Sequence, residues 1–504
     1  MLAHQFYTPT RAHKFLAKLS AHIKVEVLAS EYILKSFYDS FDWRLYRQQL
    51  TAEFIRSGQQ SRFLLRHIEA ETVIAATDIK DVPAFASQFQ DQQLTEILSE
   101  ILKTRALLRL CSIDYQHYLL GLFNKKGQLI ARISFEQYEL INNRIIVTAE
   151  PGHEARLATI NRLLNQELKL LAVKEPVVSK ILKAQGRKPK DYSAKLKLRF
   201  TPDQPAITAA QEIHRQLLTI LRNNEHGVIH NTDSEFLHDF RVAVHKSQCA
   251  LKQLKHLYPA TERDYFLGFF NWLAEISNPS RDIDVQLLRL ARYQSSLAAE
   301  SASALQALQD FLSRAQQQQQ QLLATALQSR RYLLTLQEWD QFLQHPPKPA
   351  AEHAGLAIKT LADSRIASLY SRFLHQAEAL DLTTATTDTH PLRKTAKKLR
   401  YLLEFFSSLY PEKTVRSLIG SLKTIQDLLG NEHDNQVQLS QIQQFQAQLA
   451  TAPAEAMPPA IMTTLIEQLL AENQWLRQQF TEQFAAFSAP ENQQSVNNLF
   501  NHNT

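Results

Sequence analysis

Histidine, arginine and lysine recur at fixed spacing in two places along this chain. The first run is His238-x-x-Arg241-x-x-x-His245-Lys246. The second, 152 residues later, is His390-x-x-Arg393-Lys394-x-x-Lys397-Lys398-x-Arg400. On a helix, His390, Arg393, Lys397 and Arg400 fall within about 80° of one another. Leu392, Ala396, Leu399, Leu403 and Phe406 fall on the opposite side. The first run likewise sets His238, Arg241, His245 and Gln248 against Phe240, Val244, Leu251 and Leu254. Donors one turn apart, at about 5 Å, match the repeat of a phosphate chain or a nucleic-acid backbone. Arginine adds planar bidentate donation, lysine a mobile point charge, and histidine a donor that protonates near a polyanion. A single basic helix face is usually just solvated. Its recurrence at the same spacing shifts the weight toward binding.

The recurrence extends well beyond the basic residues. Lys246 falls on Lys398, Leu251 on Leu403, Leu257-Tyr258-Pro259 on Leu409-Tyr410-Pro411, Asp282 on Asp434 and Val285 on Val437, without insertion or deletion over 48 positions. One helical unit was duplicated, and the copies are expected to pack as halves of one domain, so that two basic helices converge on one cleft. Asp282 and Asp434 either cap the following helix or orient the basic side chains.

The elements that must position these residues follow from composition and periodicity. At 504 residues the chain has material for two or three domains. Residues 1–200 hold thirty Lys and Arg against twenty Asp and Glu, whereas residues 201–504 hold 26 against 30. Anion binding by the second half must therefore rest on segregated charge. Cys111 and Cys249 are the only cysteines, which excludes a disulfide framework and a multi-cysteine metal site. No apolar run approaches the ~20 residues of a membrane span, and no basic region followed by an apolar stretch opens the chain. The sequence predicts a cytoplasmic protein without membrane contact.

Short β-favouring stretches lie at 24–27, 62–65, 118–123, 130–135 and 144–147, with a hairpin turn at Asn124-Lys125-Lys126-Gly127. Helical patterns intervene at 10–22, 92–103 and 153–171, giving a mixed antiparallel α+β domain over 1–200. A basic stretch ends in the breaker Thr201-Pro202-Asp203-Gln204-Pro205. From 206 to 488 nearly everything reads as helix, and 489–504 as a polar, frayed tail. The glutamine run 316–321 reads as the wet face of a long helix. The four tryptophans, Trp43, Trp272, Trp339 and Trp475, read as core or helix-interface anchors.

His238 to Ala243 and His390 to Tyr401 resemble the two signature helices of the CHAD family, the conserved histidine α-helical domain. Arg281-Asp282-Ile283-Asp284-Val285, the stretch from Leu422 to Asp434, and Arg330 to Trp339 resemble the segments that follow them. The resemblance covers about 206–450. It implies two duplicated four-helix bundles with a basic central surface that binds inorganic polyphosphate, often at polyphosphate granules, without catalysis. Carried over by position, the contacts are His238, Arg241, His245, Lys246, His390, Arg393, Lys394, Lys397, Lys398, Arg400 and Lys423. The first copy departs from the pattern. The family usually has Arg where this chain has His245, Lys246 and Gln248.

Phe37 to Asp42, the stretch 130–140, and Ser179-Lys180 resemble the CYTH, or triphosphate tunnel, family, which implies a β barrel or tunnel with helices. Active members open with a Glu-x-Glu-x-Lys strand whose carboxylates hold a divalent metal beside the triphosphate. This chain opens Met1-Leu2-Ala3-His4-Gln5-Phe6, the later acidic strand is thinned to Ile145–Glu150, and Glu53 stands where a substrate arginine is placed. Metal-assisted hydrolysis then loses its electrophile. The domain reads as a degenerate relative, with Arg62, Arg66, Arg105, Arg109, Arg132 and Lys180 lining a basic tunnel. No catalytic residue, metal or cofactor is assigned.

The expected function is therefore non-catalytic polyphosphate binding. A metal-dependent triphosphatase in the first domain and binding of a nucleic-acid backbone stand as alternatives. The absent Glu-x-Glu-x-Lys strand counts against the first, and the scarcity of aromatics on the basic face against the second. No Gly-rich phosphate loop or Gly-x-Ser-x-Gly nucleophile motif occurs.

Overall fold

The computed structural model describes residues 4–70, 72–173, 175–296, 306–345, 351–380, 388–449 and 459–500. It divides into two units, Met1–Ser193 and Ala194–Thr504.

The first unit is built on one antiparallel sheet of nine strands in the order β5-β4-β3-β2-β6-β7-β8-β1-β9. They are β1 His4–Thr8, β2 Lys24–Asp39, β3 Leu50–Ser57, β4 Gln60–His67, β5 Val73–Asp78, β6 Leu108–Phe123, β7 Leu129–Gln137, β8 Asn143–Ala149 and β9 Leu171–Ala172. The predicted hairpin turn forms between β6 and β7. Gly127 takes φ +75°, and Asn124 Oδ1 accepts from the Lys126 and Gln128 amides. Strand alternation sorts side chains between two faces. On one face α1 (Ala12–Ser20) and α4 (Arg156–Arg162) cover Ile133, Phe135, Ile145 and Val147, while α3 (Gln92–Leu102) covers Phe54, Phe63 and Leu65. On the other face α5 (Val177–Ala184) packs Val178, Ile181 and Leu182 against Ile33, Phe37, Ile113 and Tyr115. The short helix α2 (Arg44–Arg47) follows β2.

The second unit is helical. Its first half runs α6 Ala206–Ile229, α7 Ser234–Gln253, α8 Ala260–Ser296, α9 Gln306–Leu327 and α10 Arg330–Gln344. Its second half runs α11 Ile358–Glu378, α12 His390–Phe406, α13 Glu412–Leu449, α14 Pro459–Phe487 and α15 Pro490–Phe500. Successive long helices pack in order within each half, and the short fifth helix returns onto the first. The duplication thus covers whole halves. α6 and α11 begin 152 residues apart, as do α8 and α13.

The predicted polar tail is therefore corrected. Residues 490–500 form the counterpart of α10, with Val496 and Phe500 buried and Phe500 set edge-on to Tyr410 at 4.8 Å. Its asparagines and glutamines mask an apolar stripe only two turns long. Two members of the glutamine run also find partners, Gln316 donating to Asp284 Oδ1 and Gln320 to the Val228 carbonyl. Trp43 and Trp339 are buried, as expected of anchors, but Trp475 is 56% exposed.

Close approach fixes one glycine. A Cβ at Gly227, near the end of α6, would lie 2.2 Å from the Phe236 ring of α7. Helix propensity alone favours Gly227→Ala by about 1 kcal/mol. Overpacking costs about 1–3 kcal/mol. Gly227→Ala is expected to lower the urea midpoint of the helical unit, and a raised midpoint would show that Phe236 yields freely.

Candidate anion-binding site

The two repeated basic helices are held by their caps and their apolar faces. Asp233 Oδ1 accepts from the Glu235 and Phe236 amides at the start of α7. Asp388 Oδ1 accepts from the His390 amide, and Pro391 occupies the first turn of α12. The residues predicted to face inward do so: Phe240, Val244, Leu251 and Leu254 in α7, and Leu392, Ala396, Leu399, Leu403 and Phe406 in α12 are all buried.

α7 and α12 then meet directly. Cys249 Sγ lies 3.9 Å from the Lys398 carbonyl, and Lys246 Nζ pairs with Glu404 Oε2 at 2.8 Å. The basic groups of both copies share one electrostatic neighbourhood. Burial, then Arg393 and Arg241, hold the Lys397 ammonium down to about 8 against the pull of Asp434. Burial and Arg241 hold His245 at about 4, with Lys397 and Arg393 contributing to the depression. His245 is thus neutral near pH 7. Its Nδ1 faces Gln248 Oε1 at 2.9 Å and its Nε2 faces Arg241 Nη2 at 3.4 Å, an arrangement that fits a proton on Nδ1. Burial also lowers Arg241, to about 10, while Asp282 works the other way.

The two copies differ in how their cations are answered. Arg241 is spent on its own half. Its Nη1 donates to the Ala274 carbonyl at 3.1 Å and to Ser277 Oγ at 2.8 Å, and its Nη2 donates to Asn278 Oδ1. The repeat partners of Ser277 and Asn278 are Leu429 and Gly430, which have no side-chain acceptor. Among the described residues, the Arg393 side chain accordingly makes no hydrogen bond or ion pair, and its Nε is buried without a partner. Lys397 makes none either, and His390 Nδ1 is likewise buried and unpaired. Buried donors without acceptors are costly and rare.

The other sequence candidates divide. Arg400 donates to Gln426 Oε1 at 2.7 Å and pairs with Glu404, the carboxylate that also answers Lys246. Lys394 is exposed and Lys398 half-buried on another flank of α12, and His238 and Lys423 are exposed on α7 and α13. Sequence reasoning missed His433 and Arg289. The His433 ring is 5.7 Å from that of His390, and Arg289 Nη2 is 3.7 Å from Asp434 Oδ2. The signal for His433 was available, because it is the repeat partner of Arg281.

In the first unit the predicted basic tunnel is not assembled as expected. Arg66 lines a pocket with Lys35, Glu53, His67 and Arg144. Arg62 instead pairs with Asp78 at 3.5 Å, Arg132 with Glu150 at 2.8 Å, and buried Arg105 with Asp42 at 3.5 Å. Arg109 is exposed, and Lys180 Nζ sits 3.4 Å over the Tyr7 ring. These placements follow from carboxylates on neighbouring strands and loops, which local sequence does not reveal.

The pocket answers its charges internally. Lys35 Nζ lies 3.8 Å from Glu53 and 3.7 Å from Glu136. Arg66 pairs with Glu53 at 3.4 Å and Arg144 with Glu136 at 3.6 Å. Burial disfavours the Lys35 ammonium, but Glu136 and Glu53 outweigh it and raise the group above its usual range. On β1 the residues facing this network are Gln5, which accepts from Arg144 Nη2 at 2.6 Å, and Tyr7. The remaining cavity is about 20 Å³, room for a single water.

Comparison with known proteins finds one family and several solved structures to which the chain is similar. Residues 212–443 match the model of the CHAD domain family. Among solved structures, the chain is similar to the CHAD domain from the plant Ricinus communis, at 23% identity and TM-score 0.46, over 62% of this chain and 97% of that one. It is similar to PptA from Streptomyces chartreusis at 16% identity and TM-score 0.42, over 56% and 99%. It is also similar to a candidate adenylyl cyclase from Hippeastrum, described as having a dominant triphosphatase activity, at 10% identity and TM-score 0.29, over 38% and 99%. No curated protein matches the chain.

The contrast between the copies predicts a contrast in stability. Arg241→Met removes hydrogen bonds from a charged donor and is expected to cost about 2–3 kcal/mol in urea unfolding. Arg393→Met removes an unanswered buried donor and is expected to change stability by less than about 0.5 kcal/mol or to raise it. Equal losses would mean that both arginines are structural. Over residues 212–443, the chain matches the CHAD domain family.

Proposed function

We propose that the helical unit binds inorganic polyphosphate without hydrolysing it, with the α12 side of the cleft as the main grip. The observation that carries this reading is the unanswered set Arg393, Lys397 and His390, held beside Arg241. A half-buried ammonium among guanidinium groups is held below its usual range because no counter-charge compensates burial and repulsion. A chain of phosphates supplies that charge, and its oxygens accept from the unpaired donors. His390 adds a neutral donor, since burial, then Lys394 and Arg393, lower it. The CHAD resemblance points to the same ligand.

Nucleic-acid binding fits less well. Tyr401, which lies among the cations of α7 and α12, is buried beneath Lys246 rather than presented to a base. In the first unit, β1 turns Gln5 and Tyr7, and no carboxylate, toward the Lys35–Glu53–Glu136 network, which supports the non-catalytic reading. On this reading the protein acts in the cytoplasm, at polyphosphate granules.

Charge reversal tests the site. Arg393→Glu with Lys397→Glu in the full chain is expected to weaken retention on immobilised long-chain polyphosphate by at least about 100-fold at low salt. Undiminished retention in a folded double variant would sink the reading, as would robust phosphate release from tripolyphosphate with Mg²⁺ or Mn²⁺.

The site also carries a pH signature. Below about 8, Lys397 is charged in the empty protein. As pH rises through that value the empty site loses the charge, and binding must take up a proton at increasing cost. Affinity is therefore expected to be flat at neutral pH and to fall above about 8. Lys397→Arg, whose charge persists, should flatten the profile. Titration calorimetry in buffers of different ionisation enthalpy would read the proton uptake directly. Affinity that does not change with pH would rule out this role for Lys397.

A further inference from the structure

Three helical stretches of the second unit contain no acidic residue: Phe240–Gln253 on α7, Arg365–Gln376 on α11 and His390–Leu403 on α12. They are neighbours, since α12 packs on both α7 and α11. The site proposed for polyphosphate, the cleft, uses one flank of α12, where Arg393 and Lys397 lie. Lys394 and Lys398 each follow one residue later, which rotates them about 100° away onto the flank between α7 and α11.

That flank has its own cations. Cys249 Sγ lies 3.9 Å from the Lys398 carbonyl, which brings the last turn of α7, with Lys252, beside Lys398. On α11, Arg365 and Arg372 are seven residues apart and share a face, about 10 Å along the axis. Lys252, Arg372 and Lys394 are exposed, and Arg365 Nε is buried without a partner. Among the described residues, none of these side chains, nor that of Lys398, makes a hydrogen bond or ion pair. Several other cations of the unit are answered: Lys246 and Arg400 by Glu404, and Lys359 by Asp363.

The flanks are joined electrostatically. Burial holds Lys398 below its usual range. Cys249 works the other way, but Arg372, Lys252 and Lys394 add to the depression. Lys394 also contributes to the depression of His390, on the cleft side.

We propose that the polyanion does not end at the cleft but passes over Lys394 onto a second cationic band formed by Lys398, Lys252, Arg372 and Arg365. This inference rests on the polyphosphate reading and deepens it, because it assigns a site to the part of the polymer that the cleft cannot hold. A short chain fills the cleft alone. A long chain engages both tracks, and the second engagement is intramolecular, so affinity rises with chain length.

The test is the double variant Lys252→Glu with Arg372→Glu, both at exposed positions, compared with the full wild-type chain after its thermal melt is shown to be unchanged. Binding of tripolyphosphate and of a long-chain polyphosphate is measured by titration calorimetry across a salt series. The variant is expected to bind tripolyphosphate within about twofold of wild type. It should lose about tenfold or more in long-chain affinity, with the slope of log affinity against log salt reduced by about two. Unchanged long-chain affinity overturns the band, as does an equal loss for both ligands, which would merge the band with the cleft. A loss seen only with single-stranded RNA overturns it as a polyphosphate track. Failure of the wild type to bind either phosphate ligand is a different result, and it strikes the polyphosphate reading itself.

Discussion

The second unit depends on holding cations near one another without enough anions to answer them. Arg393 and Lys397 lie half-buried on α12, within the field of Arg241 from α7, and Asp282 and Asp434 compensate only in part. Such an arrangement opposes folding, because burial and like charge both disfavour the ionised groups. It persists because the opposite faces of the same helices bury Phe240, Val244, Leu251, Leu392, Leu399 and Leu403 almost completely. The apolar side of each helix stabilises what its polar side leaves unsatisfied. On the proposed reading, the free energy withheld in the empty state is what a polyanion recovers on binding.

Duplication supplied two such helices, and divergence made them unequal. In the first half, Ser277 and Asn278 turn Arg241 into a structural tie to α8, and His245 with Gln248 replaces cations by a neutral hydrogen-bonded pair. In the second half, Leu429 and Gly430 leave Arg393 without an acceptor. One copy therefore ties its arginine into its own half while the other leaves its donors unanswered. Double use of this kind is open to a duplicated unit, because packing needs only the apolar periodicity, which both copies retain.

The first unit shows the opposite solution to the same problem. Lys35, Arg66 and Arg144 are as basic as anything in the cleft, yet Glu53, Glu136 and Gln5 answer them. A closed network of this kind gains nothing from an added anion, since each new contact must displace an existing one. The difference between a binding site and a structural ion network lies in the acceptors, not in the number of arginines.

That difference marks the boundary of what the sequence alone could determine. The period of 152 residues, the apolar and basic faces of α7 and α12, the hairpin at Gly127 and the order of an antiparallel sheet domain before a helical one were all legible. Helix and strand periodicity are local, and each copy repeats the signal. Only the tertiary structure decided which cations remain unanswered. Arg400 read as a candidate from type and spacing, and Arg62, Arg105 and Arg132 from the CYTH resemblance, yet Glu404, Asp78, Asp42 and Glu150 neutralise them. The helix at 490–500 was illegible for a related reason: two buried residues per element carry too little periodicity until α11 and Tyr410 are present to receive them. Charge compensation acts through space at a few ångströms, between groups that the chain separates by tens of residues, so it is fixed by the fold and not by any local pattern.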